Sequence, residues 1–600
     1  MVTTPPRWDL SNVYPGLDSP SLARDIDWVK ETTQALKQLY EERLVNINTD
    51  DSLETINEAI SNMVDRMNAL LEKAATVRAY LHSFISTDSF NQQAVQMESQ
   101  FAKVLVGIQK VNVLLEAWVG QFKDILPDVL DLGNSAGEHA FPVKEIAEQS
   151  QYLMSEKEEI LSSELSLAGA RAWTKLQGTV TSQKTVDFEL HGEAQTLPMP
   201  ALINLHSHPD ESVRKRAYEA EMAAWESVKE PLAACMNGVK GWVNTLNEHR
   251  GRKDALHEPI DQGRIDRETL RVMLEAMEES FPTFRRYFKA KAARFGQKAL
   301  PWWNVFAPVG ELEKEYTFSE AANFILKNFG NFSDELRTFA QKAFDSRWID
   351  AEQRSGKRGG AFCMPVPGVK ESRILCNFDG SLDQVMTIAH ELGHGYHNFN
   401  MYQAGRTPLQ RQTPMTMAET ASIMCETIVF NAVMREISDP QEELALLETA
   451  LISDSQVIVD IFSRFLFEKE VFERRQDAEL SADELCEIME DAQSKTYGEG
   501  LDPASRHKFM WTWKPHYYSA GLSFYNFPYA FGMLFGVGLY AIYQLRGEDF
   551  IPNYKQLLSS TGSAPAAELA ARFDIDIRDK KFWQDSLGVI EKRIDRYCEL

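Results

Sequence analysis

The chain has 600 residues, 44% hydrophobic and 25% charged, an ordinary globular composition but far more than one compact core needs, so several substructures are expected. Its 63 basic against 88 acidic side chains leave a formal net charge of −25, which argues against nucleic acid as a partner, since that requires clustered positive charge. Six scattered cysteines (235, 363, 376, 425, 486 and 598) form no CxxC pair, so a reduced, cytoplasmic protein is expected rather than a disulfide frame.

Met1-Val2-Thr3-Thr4-Pro5-Pro6-Arg7 lacks the apolar run of a secretory signal. Ser19-Pro20 is a helix start, with the serine as cap and the proline in the first turn. Amphipathic patterning predicts long helices at roughly 20–43, 51–84 and 89–123. Pro, Gly, Asn and Ser then gather at about 126–142, where a loop or subdomain joint is expected. Val186, Phe188 and Leu190 alternate with polar residues before Gly192, predicting a short β element turning into a second strand. Helical patterning resumes after Asp210, and the basic and aromatic stretch from Glu279 to Pro308 reads as a solvated face. No internal repeat or low-complexity tract is present.

Gly356-Lys357-Arg358-Gly359-Gly360 breaks the chain before two predicted short strands, 361–364 and 374–378, joined by a Pro/Gly turn. Asp379-Gly380-Ser381 then leads into a helix. Ser381 with Gln384 forms a capping box, and Leu382, Val385, Met386, Ala389, Leu392 and Tyr396 recur at helical spacing as a buried stripe. Within this helix stands His390-Glu391-Leu392-Gly393-His394. Residues four apart lie on one helical face, so the two imidazoles can share a metal ion. This is the H-E-x-x-H pattern, in which histidines hold Zn²⁺ and the glutamate serves as base. An exposed edge of the strand pair beside it suits an extended peptide added as a further strand.

Such a site needs a third protein ligand and an open position. His397 lies one turn beyond the pair, about 5 Å further along the axis, and reads as a supporting group. Glu419 is the better candidate, at the opening of the apolar run 417–426, which has the composition of a second buried helix. The alternative is that Thr416 and Glu419 only form a capping box. Glu426, two turns on, is placed to orient a ligand histidine.

Further along, His516-Tyr517-Tyr518 and Phe524-Tyr525-Asn526-Phe527-Pro528-Tyr529 form an aromatic cluster. Imidazole and phenol donors stabilise the oxyanion of peptide hydrolysis, whereas aromatic runs also commonly form plain core. The nearly uncharged segment from Phe527 to Leu545 approaches membrane-spanning length. Pro528 and Gln544 within it favour a buried helix.

Taken together, these motifs resemble oligoendopeptidase F, among the thimet-oligopeptidase-like zinc metallopeptidases. The family pattern H-E-x-G-H-x-x-H is complete as His390, Glu391, Gly393, His394 and His397, and E-x-x-S-x-x-x-E as Glu419, Ser422 and Glu426. Trp8-Asp9-Leu10-Ser11-Asn12-Val13-Tyr14-Pro15, Gly-Lys-Arg-x-Gly-Ala at 356–361 and Asn377-Phe378-Asp379-Gly380 resemble further family signatures. The resemblance implies one Zn²⁺ per chain held by His390, His394 and Glu419, with Glu391 as the catalytic carboxylate. It implies substrate-facing roles for His516, Tyr525 and Tyr529, although many relatives carry a tyrosine where this chain has Phe527.

The expected fold is mainly α, with a small β-sheet beside the zinc helices. The resemblance implies a two-lobed helical shell around a deep channel admitting short peptides. The expected division is an N-terminal helical region at 1–200 and a catalytic domain at 201–600. The expected activity is zinc-dependent endopeptidase action on short unstructured peptides, with no nucleic-acid or membrane partner. Two alternatives are a carboxypeptidase or dipeptidase, using Arg354, Lys357, Arg358 or Arg373 to hold a terminal carboxylate, and a non-catalytic zinc-containing peptide-binding protein.

Overall fold

A computed structural model describes residues 5–190, 192–310 and 314–600. The first four residues of the opening stretch read for a signal lie outside the described residues. The protein is mainly α, as expected, with strands confined to one two-stranded and one three-stranded sheet among the described residues. Helix starts follow local capping chemistry. Ser19 Oγ accepts the Leu22 amide and begins Pro20–Glu42, Ser52 caps Leu53–Thr87, and Asn91 caps Gln92–Gly120.

The loop expected at about 126–142 is instead a series of short helices, Leu126–Asp131, Asn134–Glu138 and Ala140–Ser150. Pro127 sits in the first turn of its helix, where it is tolerated, and Gly133 breaks the series with φ +83°. Breaker residues here separate turns of helix rather than abolish it.

The chain divides into two compact units: residues 1–153, 314–433 and 542–573 form the first, and 154–313, 434–541 and 574–600 the second. The first is built on the three long N-terminal helices, whose buried stripes include Leu22, Ile60, Leu70, Val77, Phe101 and Trp118. Each fully buried large apolar side chain of this kind contributes about 1.5–3 kcal/mol.

The three-stranded sheet also belongs to the first unit. Glu371–Leu375 is central, parallel to Ile349–Asp350 and antiparallel to Phe362–Val366, with Phe362 opposite Leu375 and Val366 opposite Glu371. Four of the five central-strand residues are buried, whereas the edge strand Phe362–Val366 buries only Val366. Pro365, which offers no amide proton, is tolerated on such an edge. Lys357 ties the ends of this sheet together. Its side chain is fully buried, lies 2.8 Å from the Asp350 carboxylate, and donates to the carbonyls of Asp350, Glu352 and Cys376.

In the second unit, Thr185–Leu190 and Glu193–Pro198 form the antiparallel pair. The long helix Arg267–Arg294 packs along the C-terminal helix Lys580–Glu599. Phe527–Arg546 is a helix lined by buried Phe531, Leu534, Phe535 and Leu539. Gly538 allows its close approach, because a β-carbon there would stand 2.5 Å from Ser586 Oγ. Among the described residues no helix is long and apolar enough to cross a membrane.

Candidate metal centre

The centre is built on the helix Leu382–Gln403. Ser381 Oγ accepts the Gln384 amide at 3.3 Å, and Asp379 accepts the Ser381 amide at 2.9 Å. Gln384 Oε1 has no hydrogen-bond partner, so only the serine half of the expected capping box forms. Leu382, Val385, Ala389, Leu392 and Tyr396 are buried, while Met386 is only partly so. That stripe fixes the helix rotation and leaves His390 and His394 half-buried, with ring centroids 5.0 Å apart.

Glu419 stands elsewhere than in the expected helix. It follows the four-residue helix Met415–Ala418, whose N-cap is Pro414, and precedes Ser422–Glu436. The turn brings Glu419 Oε2 to 3.3 Å from His390 Nε2 and 3.4 Å from His394 Nε2. Ser422 Oγ donates to the same carboxylate oxygen at 2.5 Å. Gly393 makes the approach possible: a β-carbon there would lie 2.5 Å from both the Ala421 carbonyl oxygen and Ser422 Cα. On the far side of His390, Nδ1 bonds the Glu426 carboxylate at 2.9 Å, which turns Nε2 toward Glu419.

This donor set suits a divalent cation. Two imidazoles and one carboxylate offer ligand atoms all within 4.8 Å of one another. Tetrahedral zinc with bonds of about 2.0–2.1 Å places its ligand atoms about 3.3–3.4 Å apart. The Glu426–His390 bond is the support that ligating histidines usually carry.

Charge is concentrated here. Burial disfavours protonation of His390, but Glu419 and Glu426 outweigh it and hold its basicity well above the ordinary histidine range. Burial would raise Glu419, yet hydrogen bonding from His390 and the charges of His394 and His390 hold it well below the usual carboxylate range. Burial pushes His394 down to about 4 despite Glu419. Burial also lifts Glu391 to about 7, with His390 opposing and Glu419 adding to the rise. Two carboxylates crowding one imidazole leave negative charge that a bound cation neutralises.

His390, Glu391, His394 and Glu419 line a cavity of about 630 Å³, together with Phe362, Cys363 and Pro365 of the edge strand. Glu391 Oε2 is buried and has no hydrogen-bond partner; a buried acceptor left unmet costs about 1–3 kcal/mol. His397 is buried and bonds Thr561 Oγ1 at 2.8 Å, and Thr561 in turn meets Thr413. Arg411, also on the cavity wall, is tied to Glu72. Neither Thr561 nor the Arg411–Glu72 pair was legible in the sequence, because both partners of each contact are remote in the chain.

Of the cations considered for a terminal carboxylate, Lys357 is enclosed with Asp350, Arg354 pairs with Asp350, and Arg373 is buried against Asn12 and Glu371. Arg358 is exposed, over the Phe362 ring.

The aromatic cluster lies in the second unit. Tyr517 and Tyr518 are fully buried core. The Tyr525 and Tyr529 hydroxyls bond each other at 2.6 Å, and the His516 ring lies 5.6 Å from that of Tyr525. Burial pushes His516 down to about 3, reinforced by Arg464, Lys240 and Lys514.

Comparison with known proteins agrees with the motif resemblance. Oligoendopeptidase F, chromosomal, from Lactococcus lactis subsp. cremoris is 24% identical over 66% of this chain and 65% of its own length, slightly under two thirds. Oligopeptidase PepF from Bacillus subtilis is 20% identical over 99% of this chain and 87% of its own. The crystal structure of oligoendopeptidase-F from Enterococcus faecium shares the fold, with a TM-score of 0.69 at 15% identity over 96% of this chain and 97% of that one. Peptidase family M3 matches residues 204–589, nearly two thirds of the sequence. The chain therefore belongs to peptidase family M3 and is an enzyme of the metallo-oligopeptidase class.

Proposed function

We propose that the chain is a zinc-dependent endopeptidase that hydrolyses internal bonds of short, unstructured peptides. The observation that carries this reading is the convergence of His390, His394 and Glu419 in one cavity beside the Glu391 carboxylate, whose buried Oε2 has no hydrogen-bond partner. The three converging residues are proposed to hold one Zn²⁺ per chain. When bound, the ion supplies Lewis acidity, which can bring the pKa of water from 15.7 to about 7.

The chain's own residues do the remainder. Glu391, lifted by burial into the range where it exchanges protons near neutral pH, takes the proton of the attacking water and delivers it to the leaving amine. Glu426 holds the His390 ring in its tautomer, with Nδ1–H donated outward and Nε2 presented inward. The edge strand Phe362–Val366 pairs on one side with Glu371–Leu375, and its other side is proposed to hold the peptide extended through main-chain hydrogen bonds. The family resemblance implies substrate-facing roles for His516, Tyr525 and Tyr529, with Tyr525 or Tyr529, alongside His516, as donor to the carbonyl oxygen that gains charge. Fixed donors of this type each contribute about 3 kcal/mol.

In sequence terms the proposal assigns residues 201–600 to the peptidase domain and 1–200 to a helical N-terminal region; the family match beginning at 204 supports it. A cytoplasmic location belongs to the same proposal, supported by the scattered free cysteines. Exopeptidase action finds less support, since Arg354, Lys357 and Arg373 are committed to internal partners.

The test is cleavage of an internally quenched peptide about ten residues long, blocked at both ends, with and without chelator. Cleavage that chelator abolishes and zinc restores supports the reading. No cleavage, or chelator-resistant cleavage, rejects it.

A further inference from the structure

We propose that Asn526 is a positioning residue: its side-chain amide fixes His516 as the Nδ1–H tautomer, so that this imidazole meets a peptide carbonyl as a neutral donor through Nδ1. The inference rests on the substrate-facing role given to His516 above and adds what sets its chemistry.

Asn526 Nδ2 lies 2.8 Å from His516 Nε2. An amide NH₂ only donates, so the nitrogen facing it must offer a lone pair. A proton on Nε2 would set two donors against each other. The main chain holds Asn526 at this place, because its carbonyl accepts the Tyr529 amide at 3.1 Å where the helix Phe527–Arg546 begins.

The surroundings keep the ring neutral. Lys240 reaches in from Lys229–His249, Arg464 from Ile461–Asp477, and Lys514 sits two residues upstream, over the Trp513 ring. Arg464 is paired with Asp460 and Lys240 with Glu468, and Tyr517 and Tyr525 flank the imidazole. Burial and these cations push His516 down to about 3. A neutral imidazole carries one N–H. With Nε2 accepting, that proton resides on Nδ1.

Asp replaces Asn with almost the same shape but no donor, which makes Asn526→Asp the sharp probe. Full-length protein with ¹⁵N-histidine is compared with Asn526→Asp, and the His516 signals are identified by their loss in His516→Gln. The wild type is expected to show pyrrole-type Nδ1 and pyridine-type Nε2 shifts. In Asn526→Asp, read at a pH high enough that the ring stays neutral beside the new carboxylate, the pattern should invert, with kcat on a quenched peptide about 10- to 100-fold lower, KM within about twofold, and metal content unchanged. Asn526→Ala, which introduces no charge, should show mixed tautomers and a smaller loss. A wild-type proton on Nε2 overturns the proposal, as does an inverted spectrum with unchanged kcat. The spectra report the tautomer whether or not the protein cleaves peptides, so this failure is separable from failure of the peptidase reading.

Discussion

Gly393 and Ala421 meet at a separation that leaves no room for a side chain: a β-carbon on Gly393 would stand 2.5 Å from the Ala421 carbonyl oxygen. Backbone on both sides makes the clash hard to relieve. This contact seats the Glu419 turn against the histidine helix. Gly393→Ala should therefore force the two apart, costing about 1–3 kcal/mol in stability and at least about tenfold in zinc affinity. Thermal melts and competition with a chromogenic chelator check both. Wild-type affinity in this variant would show that the close approach does not set the ligand geometry.

Glu426 reaches the centre through His390 Nδ1, at 2.9 Å. Removing such a partner typically weakens metal binding 10- to 100-fold. Glu426→Ala should fall in that range, and Glu426→Gln, which keeps an acceptor but loses the charge, should fall less. The same competition assay ranks the two, and equal affinities for both would remove the charge from the explanation.

Glu391 lines the cavity and is not one of the three converging residues proposed to hold the metal. Glu391→Gln preserves its volume and removes the base. Metal content should stay at the wild-type level while kcat drops about 10²- to 10⁴-fold. Near-normal turnover would transfer the proton-handling role to another group.

His516 makes a prediction about acid stability. Folded, burial together with Arg464, Lys240 and Lys514 holds it down to about 3, whereas an unfolded histidine titrates at about 6.5. Between those values the unfolded chain binds a proton that the folded chain does not. Stability therefore rises with pH across that window, and the effect vanishes above it. Because the ring is partly exposed, solvent screening reduces this to about 1 kcal/mol at pH 5. His516→Gln should lose less Tm than the wild type between pH 7.5 and pH 5. Equal losses would contradict the account.

Periodicity and capping made much of the fold legible. Ser19-Pro20 begins a helix where expected, and the predicted strand at 361–364 appears as Phe362–Val366. The four-residue spacing of His390 and His394 is a local property of a helix, so their shared face could be read directly. Glu419 was harder, because its apolar neighbourhood suggested a helix, and the break at 419–421 arises from the tertiary approach to Gly393. Pro and Gly near 126–142 suggested a loop because composition does not separate a chain of short capped helices from an irregular segment. Lys357 read as an available cation, and only the fold places three carbonyls around it. The Asn526–His516 bond likewise depends on how a turn closes, which no spacing rule encodes.

The central claim is that His390, His394 and Glu419 jointly hold one metal ion. Its most direct measurement is zinc per chain after exhaustive dialysis, by elemental mass spectrometry, for wild type, His390→Ala, His394→Ala and Glu419→Ala, each confirmed folded by circular dichroism. The account predicts about one zinc in the wild type and a large loss in each variant. A folded Glu419→Ala protein that keeps its full zinc would contradict it.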